Sequence, residues 1–454
     1  MIAIREDLTP KSLESKIGRL FDASAAKLDA IERSWDSSQG APVFTVKGKY
    51  TSRGWTEWTQ GFQFGSAILQ FDATGDLRFL ESGRNNTVAH MSPHLSHIGV
   101  HDHGFNNIST YGNLLRLMNE SVIPENVWER NFYELALRIS GAVQAARWTK
   151  IAGGGGYIYS FNGPHSLFVD TIRSLRALAV SHKLGHVLLA ENDTRISLLR
   201  RLIEHAYATA HYSIYYGEGR DHYDVRGRTA HESVFDVNDG NYRCPNSQQG
   251  FSPFTTWTRG LAWAMCGFAE ELEFLATVPE AELEEFGGRS AFEASMKKAA
   301  EATCDFYIDY SPTDGIPYWD TGAPRLHRLG DWAGKRSDPF NSFEPVDSSA
   351  AAIAVQGLLR LGGYTGNQRY FQAGLTVANA LFDDPYLSTD ANHQGLILHA
   401  VYHRPNGWDA APAPDGVPRG EACMWGDYHA REAALYLLRM IEGKPYLTFW
   451  SEHK

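Results

Sequence analysis

Helical periodicity over most of the chain is the feature that most limits its fold. Apolar residues recur every three to four positions in nine long segments, which indicates amphipathic helices. Strand-like alternation is short and local, at about 43–46 and 157–160. A chain of this kind buries its apolar helix faces against other helices, which predicts an all-α fold. The predicted helices cover about 12–31, 127–148, 167–190, 194–215, 257–276, 290–309, 347–362, 367–382 and 427–441.

Six clusters of polar and aromatic residues lie just before or at the start of helices. They are WTEWTQGF (55–62), HDHGF (101–105), FVD (168–170), WTRG (257–260), VDSSA (346–350) and WGDY (425–428). Six helical hairpins closed in a ring would bury each other's apolar faces and bring these clusters to one mouth. We therefore predict a six-hairpin toroid. The alternative is an irregular helical array whose loops do not converge.

Length and charge narrow the possible functions. No acidic, Ser-rich or Pro-rich linker divides the 454 residues, so we expect one domain over 1–454. The net charge of -11 argues against a nucleic-acid partner, and any acidic ligand must be held by local groups. Residues 1–10 lack the apolar core of a signal peptide, and no run of about twenty apolar residues predicts a membrane span. We expect a soluble cytoplasmic protein.

Residues 231–268 combine amides, a histidine and an arginine among tryptophans. Arg259 and Trp263 are four positions apart, so they share one helix face. A guanidinium can hold a carboxylate while indole rings cover a sugar face. A helix start with core tryptophans and a structural ion pair would have the same sequence, and both interpretations stay open. The candidate binding residues here are His231, Gln249, Trp257, Arg259 and Trp263.

Two aspartates are candidates for acid–base chemistry. Asp170 stands in an apolar run, where an unpaired carboxylate is costly. Asp102 has a simpler explanation as the N-cap of the following helix. Taken separately, each is more readily structural than catalytic. If both face one cavity, their mutual repulsion and aromatic surroundings would raise the pKa of one of them.

Aromatic residues near the first two clusters are candidates for a ligand-binding wall, although they need no explanation as core residues. They are Trp55, Trp58, Phe62 and Phe105. The nearby histidines at 94, 97, 101 and 103 do not form a metal motif, because Gly99 interrupts the helix and HExxH is absent. We therefore expect no metal and no cofactor.

Several motifs in order resemble the unsaturated glucuronyl hydrolases of glycoside hydrolase family 88, with the unsaturated rhamnogalacturonyl hydrolases of family 105 as close relatives. The motifs are WTQGF (58–62), HDHGF (101–105), GYIYS (156–160) followed by FVD (168–170), QQGFS and WTRGLAW (248–263), DGIPYWD (314–320), DSSAAAIA (347–354), LILHAVYH (396–403) and WGDY (425–428). The resemblance extends from about Trp55 to Leu438. It implies the (α/α)6 barrel, in agreement with the helical pattern.

The resemblance also implies an activity. The expected enzyme releases the non-reducing-end 4,5-unsaturated glucuronic acid from lyase-generated oligosaccharides by hydrating the C4=C5 double bond. Asp170 matches the general acid/base and Asp102 the carboxylate that assists it. The implied partner is an oligosaccharide with a terminal unsaturated uronic acid, and the sequence does not give the oligomeric state. The residues that match substrate-binding positions are Trp58, Phe62, Phe105, His231, Gln249, Trp257, Arg259 and Trp263.

Two departures from the family pattern keep alternatives open. Arg173 in the segment VDTIRSL (169–175) and Arg176 just after it enter a helix that is normally apolar in the family, and residues 219–228 form a charged insert. A glycosidase acting on saturated glucuronides, a non-catalytic sugar-binding toroid and a sugar epimerase are the competing hypotheses.

Overall fold

The computed structural model describes residues 1–54, 57–409, 417, 419–445 and 447–450. Its α-helices are α1 (Glu14–Ser34), α2 (Gln60–Thr74), α3 (Leu77–His90), α4 (Ser92–Leu95), α5 (His103–Asn107), α6 (Asn113–Asn119), α7 (Val127–Ala146), α8 (Thr171–Ser174), α9 (Arg176–Lys183), α10 (Leu198–Tyr212), α11 (Thr258–Leu275), α12 (Glu280–Leu283), α13 (Arg289–Asp309), α14 (Ser348–Thr365), α15 (Gln368–Leu381) and α16 (Met424–Ile441). A π-helical turn, Ile108–Gly112, joins α5 to α6.

Nine short strands in the described ranges form small antiparallel sheets in the connections. The pairs are β1 (Pro42–Val46) with β2 (Lys49–Ser52), β3 (Trp148–Lys150) with β4 (Gly156–Ile158), and β6 (Val187–Leu189) with β7 (Arg195–Ser197). The one three-stranded sheet in the described part has the order β5 (Ser166–Phe168), β8 (Glu232–Phe235), β9 (Tyr242–Asn246).

Six helical segments form a closed inner ring. α2 contacts the π-turn after α5, α5 contacts α8 and α9, α8 contacts α11, α11 contacts α14, α14 contacts α16, and α16 returns to α2. The helices α1, α3, α7, α10, α13 and α15 pack outside this ring. This is the predicted (α/α)6 barrel, and the all-α prediction is confirmed.

The inner helices are apolar because they are covered on all sides. Every residue of α11 is buried, and so are the first fifteen residues of α14. These two helices approach closely at Gly357, where a Cβ would lie 2.8 Å from the Cβ of Met265. A helix hydrophobic all round is expected at such a position.

The prediction of one long helix at 167–190 is wrong. The chain is extended in β5 through Phe168, then forms the short helix α8, then α9, and returns to extended structure in β6. Asp170 therefore precedes a helix and does not lie inside one. No range was predicted for α2 or α3, although the cluster at 55–62 was expected to lie at the start of a helix. α2 is buried over most of its length and has little apolar periodicity.

Within the described ranges, no helix combines the length and the apolar character needed to span a membrane.

Candidate active site

A cavity of about 750 Å³, including its opening, lies where several inner helices begin. Asp102 precedes α5, Asp170 precedes α8, and Trp257 precedes α11, so these residues meet at one end of the ring. Four of the six predicted clusters contribute residues that line the cavity. The clusters at 346–350 and 425–428 lie behind the lining and support it. The lining residues are Trp58, Val100, His101, Asp102, Phe105, Phe161, Asp170, Gln248, Gln249, Trp257, Arg259, Trp263, Tyr402, His403 and Trp408.

The two aspartates meet at one histidine. Nε2 of His101 lies 3.2 Å from Oδ1 of Asp170 and 3.7 Å from Oδ1 of Asp102. His101 is 1% exposed, and each aspartate is 7% exposed. The three groups therefore share one nearly dry space, where their charges interact strongly.

This arrangement shifts the pKa values of the two carboxyl groups in opposite directions. Burial raises the pKa of Asp102, and the neighbouring Asp170 adds to that effect. Burial would raise the pKa of Asp170 too, but the hydrogen bond and charge of His101 hold it below its usual value. Burial alone would lower the pKa of His101, yet the two carboxylates raise it overall. In the free protein, the carboxyl group with the raised pKa is therefore Asp102.

The backbone that carries Asp102 is held by the helix that follows Asp170. Ser174 Oγ donates to the carbonyl of His101 at 2.6 Å and accepts from the amide of Gly104 at 2.9 Å. Arg176 Nη2 donates to the carbonyl of Gly104 at 3.0 Å. From the outer ring, Gln144 Nε2 donates to the same His101 carbonyl at 2.9 Å. Polar contacts between these elements thus fix the relative position of the two aspartates.

Arg259 lines the cavity but is bound by protein groups. Nη1 donates to Asp347 Oδ2 at 3.1 Å and to the carbonyl of Val401. Nη2 donates to Gln249 Oε1 at 2.7 Å and to the carbonyl of Tyr402 at 2.8 Å. Four of its five N–H groups therefore have acceptors within the protein. The structural ion pair considered from the sequence is present, and Arg259 fixes the cavity wall formed by Gln249 and Tyr402.

His231 lies behind the lining. Its Nδ1 accepts hydrogen bonds from the amides of Gln248 and Gln249 at 3.1 and 3.2 Å. Its ring packs 4.4 Å from Phe168 and 4.6 Å from Trp257, between ring centroids. Burial lowers its pKa to about 4, so it is neutral near pH 7. His231 therefore positions the two amides that face the cavity.

Phe62 also lies beneath the surface and not on it. It is fully buried and packs against Trp58, Phe105 and His429 at centroid distances of 6.0, 5.9 and 5.1 Å. Trp263, which does line the cavity, contacts the same His429 at 4.9 Å. Phe62 thus supports the aromatic wall. Trp55 lies outside the described residues.

Sequence reasoning missed several lining residues. His101 was considered only as part of a metal motif, although its position beside Asp102 was a signal for acid–base chemistry. Phe161, Tyr402 and His403 stand within or beside the family motifs, whereas Trp408 had no signal. In the described ranges, no group of three or more His, Cys, Asp or Glu side chains is placed to hold a metal ion.

Both departures from the family pattern have a structural explanation. Arg173 is fully buried and binds Glu270 with two hydrogen bonds, at 2.6 and 3.0 Å. It also donates to Glu432 at 3.0 Å and to His429 at 2.7 Å. The insert at 219–228 packs onto the protein through Tyr215, whose ring lies 3.4 Å from the guanidinium carbon of Arg220 and 3.5 Å from that of Arg228.

No family model matches the chain. An unsaturated glucuronyl hydrolase from Formosa agariphila is 26% identical over 382 residues, covering 83% of this chain and 79% of that protein. The unsaturated glucuronyl hydrolase of Bacillus sp. strain GL1 is 26% identical over 421 residues, covering 89% and 91%. The crystal structure of unsaturated glucuronyl hydrolase from Bacillus sp. GL1 has a TM-score of 0.71 at 22% identity, covering 97% of this chain and 99% of that chain.

Proposed function

We propose that this chain, a relative of the unsaturated glucuronyl hydrolases, releases an unsaturated glucuronic acid from the end of an oligosaccharide. The observation that carries the proposal is that Asp102 and Asp170 both approach Nε2 of His101 in an aromatic-walled cavity. The names of the relatives support it. Two similar solved structures, both of substituted enzymes, include the unsaturated saccharides dGlcA-Glc-Rha-Glc and dGlcA-GalNAc6S.

The reaction adds water across the C4=C5 double bond. Asp170, in its protonated form, delivers a proton to C4, and positive charge develops at C5 beside the ring oxygen. Asp170, now a carboxylate, takes a proton from a water molecule, and the resulting hydroxide adds to C5. The hemiketal formed at C5 opens, and the neighbouring sugar leaves. Asp170 ends the cycle protonated, and one water has been consumed.

This cycle requires a proton on Asp170, whose pKa is held low in the free protein. The substrate brings its own carboxylate into the buried cavity, and a like charge favours the protonated form of a neighbouring acid. Asp102, whose pKa is already raised, places its carboxyl group beside the same histidine nitrogen. We infer that binding of the anionic sugar raises the pKa of Asp170, so that Asp170 carries the proton shared with Asp102 and His101.

The aromatic wall provides the surface on which the sugar is held. Trp58, Phe105 and Trp263 line the cavity, and ring faces of this kind cover the apolar faces of sugars. Because Arg259 is bound by protein acceptors, we assign it to fixing this wall and not to gripping the substrate carboxylate directly.

The experiment supplies lyase-made unsaturated oligosaccharides and follows loss of the ultraviolet absorbance of the conjugated enol acid. We expect turnover on at least one of the glycosaminoglycan, pectin, ulvan, gellan or xanthan fragments. Asp170→Asn should lower kcat by about 10³-fold, at the scale of general acid–base catalysis, while binding survives. The matched control is Asp22→Asn, an exposed position on α1, which should leave kcat unchanged. No turnover on any fragment, or a wild-type rate for Asp170→Asn, would refute the proposal.

We also propose that residues 1–454 act as one catalytic unit. The identity of the second sugar and the cytoplasmic location stay predictions from the sequence.

A further inference from the structure

The outward face of helix α7 carries an apolar stripe that is exposed over its N-terminal half and partly covered over its C-terminal half. Trp128 is 84% exposed, Phe132 40% and Leu135 54%. Ile139 and Val143, further along the same side, are half-buried. These positions follow a spacing of three to four residues, so they form one continuous face along the helix. We name this set of five residues the α7 stripe.

The α7 stripe is unusual among the exposed apolar residues of this protein. The exposed aromatic residues Tyr223 and Phe254 stack on each other with ring centroids 4.8 Å apart, whereas other large exposed hydrophobic side chains, such as Leu77, stand on separate elements, which is normal for a protein surface. Trp128 alone exposes roughly 200 Å² of side-chain surface, because an aromatic side chain has about 150–250 Å² in all and most of that of Trp128 faces water. The whole stripe exposes on the order of 500 Å² of apolar surface, at the upper end of what monomers leave uncovered. The largest apolar patch on a protein surface is often functional.

The shape of this face fits a second copy of itself. Its N-terminal half carries the large side chains Trp128 and Phe132. Its C-terminal half offers the small residues Ala142 and Ala146, which are half-exposed and exposed. Leu135 lies seven residues from both Trp128 and Ala142, which is about two helical turns on each side. An antiparallel pair with its twofold axis at Leu135 therefore sets Trp128 of each copy over Ala142 of the other.

The charges on the outward face of α7 and the exposed area of the stripe are compatible with this pairing. Arg138 lies at the edge of the outward face. Its Nη2 is 3.1 Å from Oε2 of Glu134 on the same helix, so its charge is paired. Two copies with a net charge of -11 each can thus meet without bringing acidic groups together at the centre. A stable interface buries about 800 Å² from each partner. The stripe, with the exposed Val122 and Val127 at its N-terminal end, supplies the apolar centre of such an interface.

We propose that the protein forms a twofold symmetric dimer through antiparallel contact of its α7 helices. The inner face of α7 carries Gln144 and Ser140, which hold His101 and His103 by hydrogen bonds of 2.9 and 3.1 Å. The dimer contact and the support of the candidate active site therefore lie on opposite faces of one helix. This proposal does not depend on the proposed function.

The test measures the mass of the whole chain in solution by light scattering and sedimentation velocity. At about 100 µM, the wild-type protein should show twice the 50.6 kDa of one chain, with the dimer fraction falling on dilution. Leu135→Glu sets two carboxylates together on the axis, so it should raise the dissociation constant at least 100-fold. Leu77→Glu, an equally exposed apolar position on α3, is the matched control and should leave the dimer intact.

A second pair of variants tests the register. Ala142→Trp fills the space that Trp128 of the other copy enters, so it should prevent dimerisation. Adding Trp128→Ala to it exchanges the large and small positions and should restore the dimer. A monomeric wild-type protein at about 100 µM, or a dimer insensitive to Leu135→Glu, would overturn the proposal. Failure of the double variant to dimerise would overturn the antiparallel register. Circular dichroism and thermal unfolding establish that each variant is folded.

Discussion

Gly104 lies directly against the backbone of Ser174. A Cβ at position 104 would stand 2.1 Å from the carbonyl oxygen of Ser174, closer than any side chain can come. The contact joins the segment of Asp102 to the helix that follows Asp170, and Ser174 Oγ completes it through the Gly104 amide. The glycine of the HDHGF motif is therefore required by the close approach of the two aspartate-bearing segments.

Gly104→Ala should separate these segments and reduce both stability and turnover. Overpacking at a buried site costs about 1–3 kcal/mol of unfolding free energy. We expect kcat to fall further than this loss of stability suggests, because the distances from His101 to the two aspartates change. Urea unfolding and steady-state kinetics measure the two effects. Gly18→Ala, on the exposed side of α1 with nothing within 4 Å, is the control and should raise stability by up to about 1 kcal/mol.

His101→Asn should change the pH dependence of activity. The hydrogen bond and charge of His101 hold the pKa of Asp170 down, so their loss lets burial raise it. The limb of the kcat/KM profile on which activity falls with rising pH reports loss of the proton from Asp170. That limb should move to higher pH, while kcat falls by about 10²-fold. His222→Asn, on the exposed insert, serves as control, and an unmoved limb in His101→Asn would show that His101 does not set the pKa of Asp170.

Much of the fold was predictable because helical periodicity survives in the amphipathic outer helices. The prediction for α13 was within one residue of its observed start, and α7 began at the predicted position. The prediction located α11 and α14, which are buried on every side, but gave no range for α2, which is buried over most of its length and has little apolar periodicity. It also failed around Asp170, where an apolar run continues through a strand, a turn and two short helices.

The candidate site was predictable in its residue types more than in its contacts. Asp102, Asp170 and Trp257 line the cavity as the motifs indicated. The sequence has no means of showing that Arg259 is held by backbone carbonyls more than 140 positions away. Nor does it show that His231 turns its Nδ1 toward two amides and lies behind the wall. Such contacts depend on how distant loops meet.

Arg259→Lys should loosen the cavity wall. A lysine cannot reproduce the hydrogen bonds to Asp347, Val401, Gln249 and Tyr402, because its ammonium is compact and not forked. Each hydrogen bond of the charged group that is lost costs about 1.5–3 kcal/mol. KM should rise more than kcat falls, since the wall and not the reacting acid is displaced. Thermal unfolding and kinetics measure this, with the exposed Arg19→Lys as control. An unchanged KM in a folded Arg259→Lys protein would contradict this role.

Arg173→Met restores an apolar residue to the helix after Asp170 and should still be destabilising. It leaves Glu270 and Glu432 buried with less compensating charge, at a cost of about 3–5 kcal/mol. The double variant Arg173→Met with Glu270→Met removes one charge of each sign and leaves Arg176 near Glu432. We expect it to be more stable than Arg173→Met alone. A double-mutant cycle of unfolding free energies measures the coupling, and strict additivity would show that the two residues act independently.

Glu421 should make the tip of the β1–β2 hairpin sensitive to acid. Its carboxylate accepts hydrogen bonds from the amides of Lys47 and Gly48, each at 2.9 Å, and lies 3.2 Å from His393. Although burial would raise its pKa, these partners hold it at about 2, below the ordinary value of 4.5. A carboxyl group with a lowered folded pKa contributes stability that is fully present above pH 4.5 and is lost as pH falls toward 2. The stability difference between wild type and Glu421→Gln should therefore be largest near neutral pH and shrink below pH 4.5. Urea unfolding over this range measures it, with the exposed Glu6→Gln as control, and a difference that stays constant with pH would contradict the assignment.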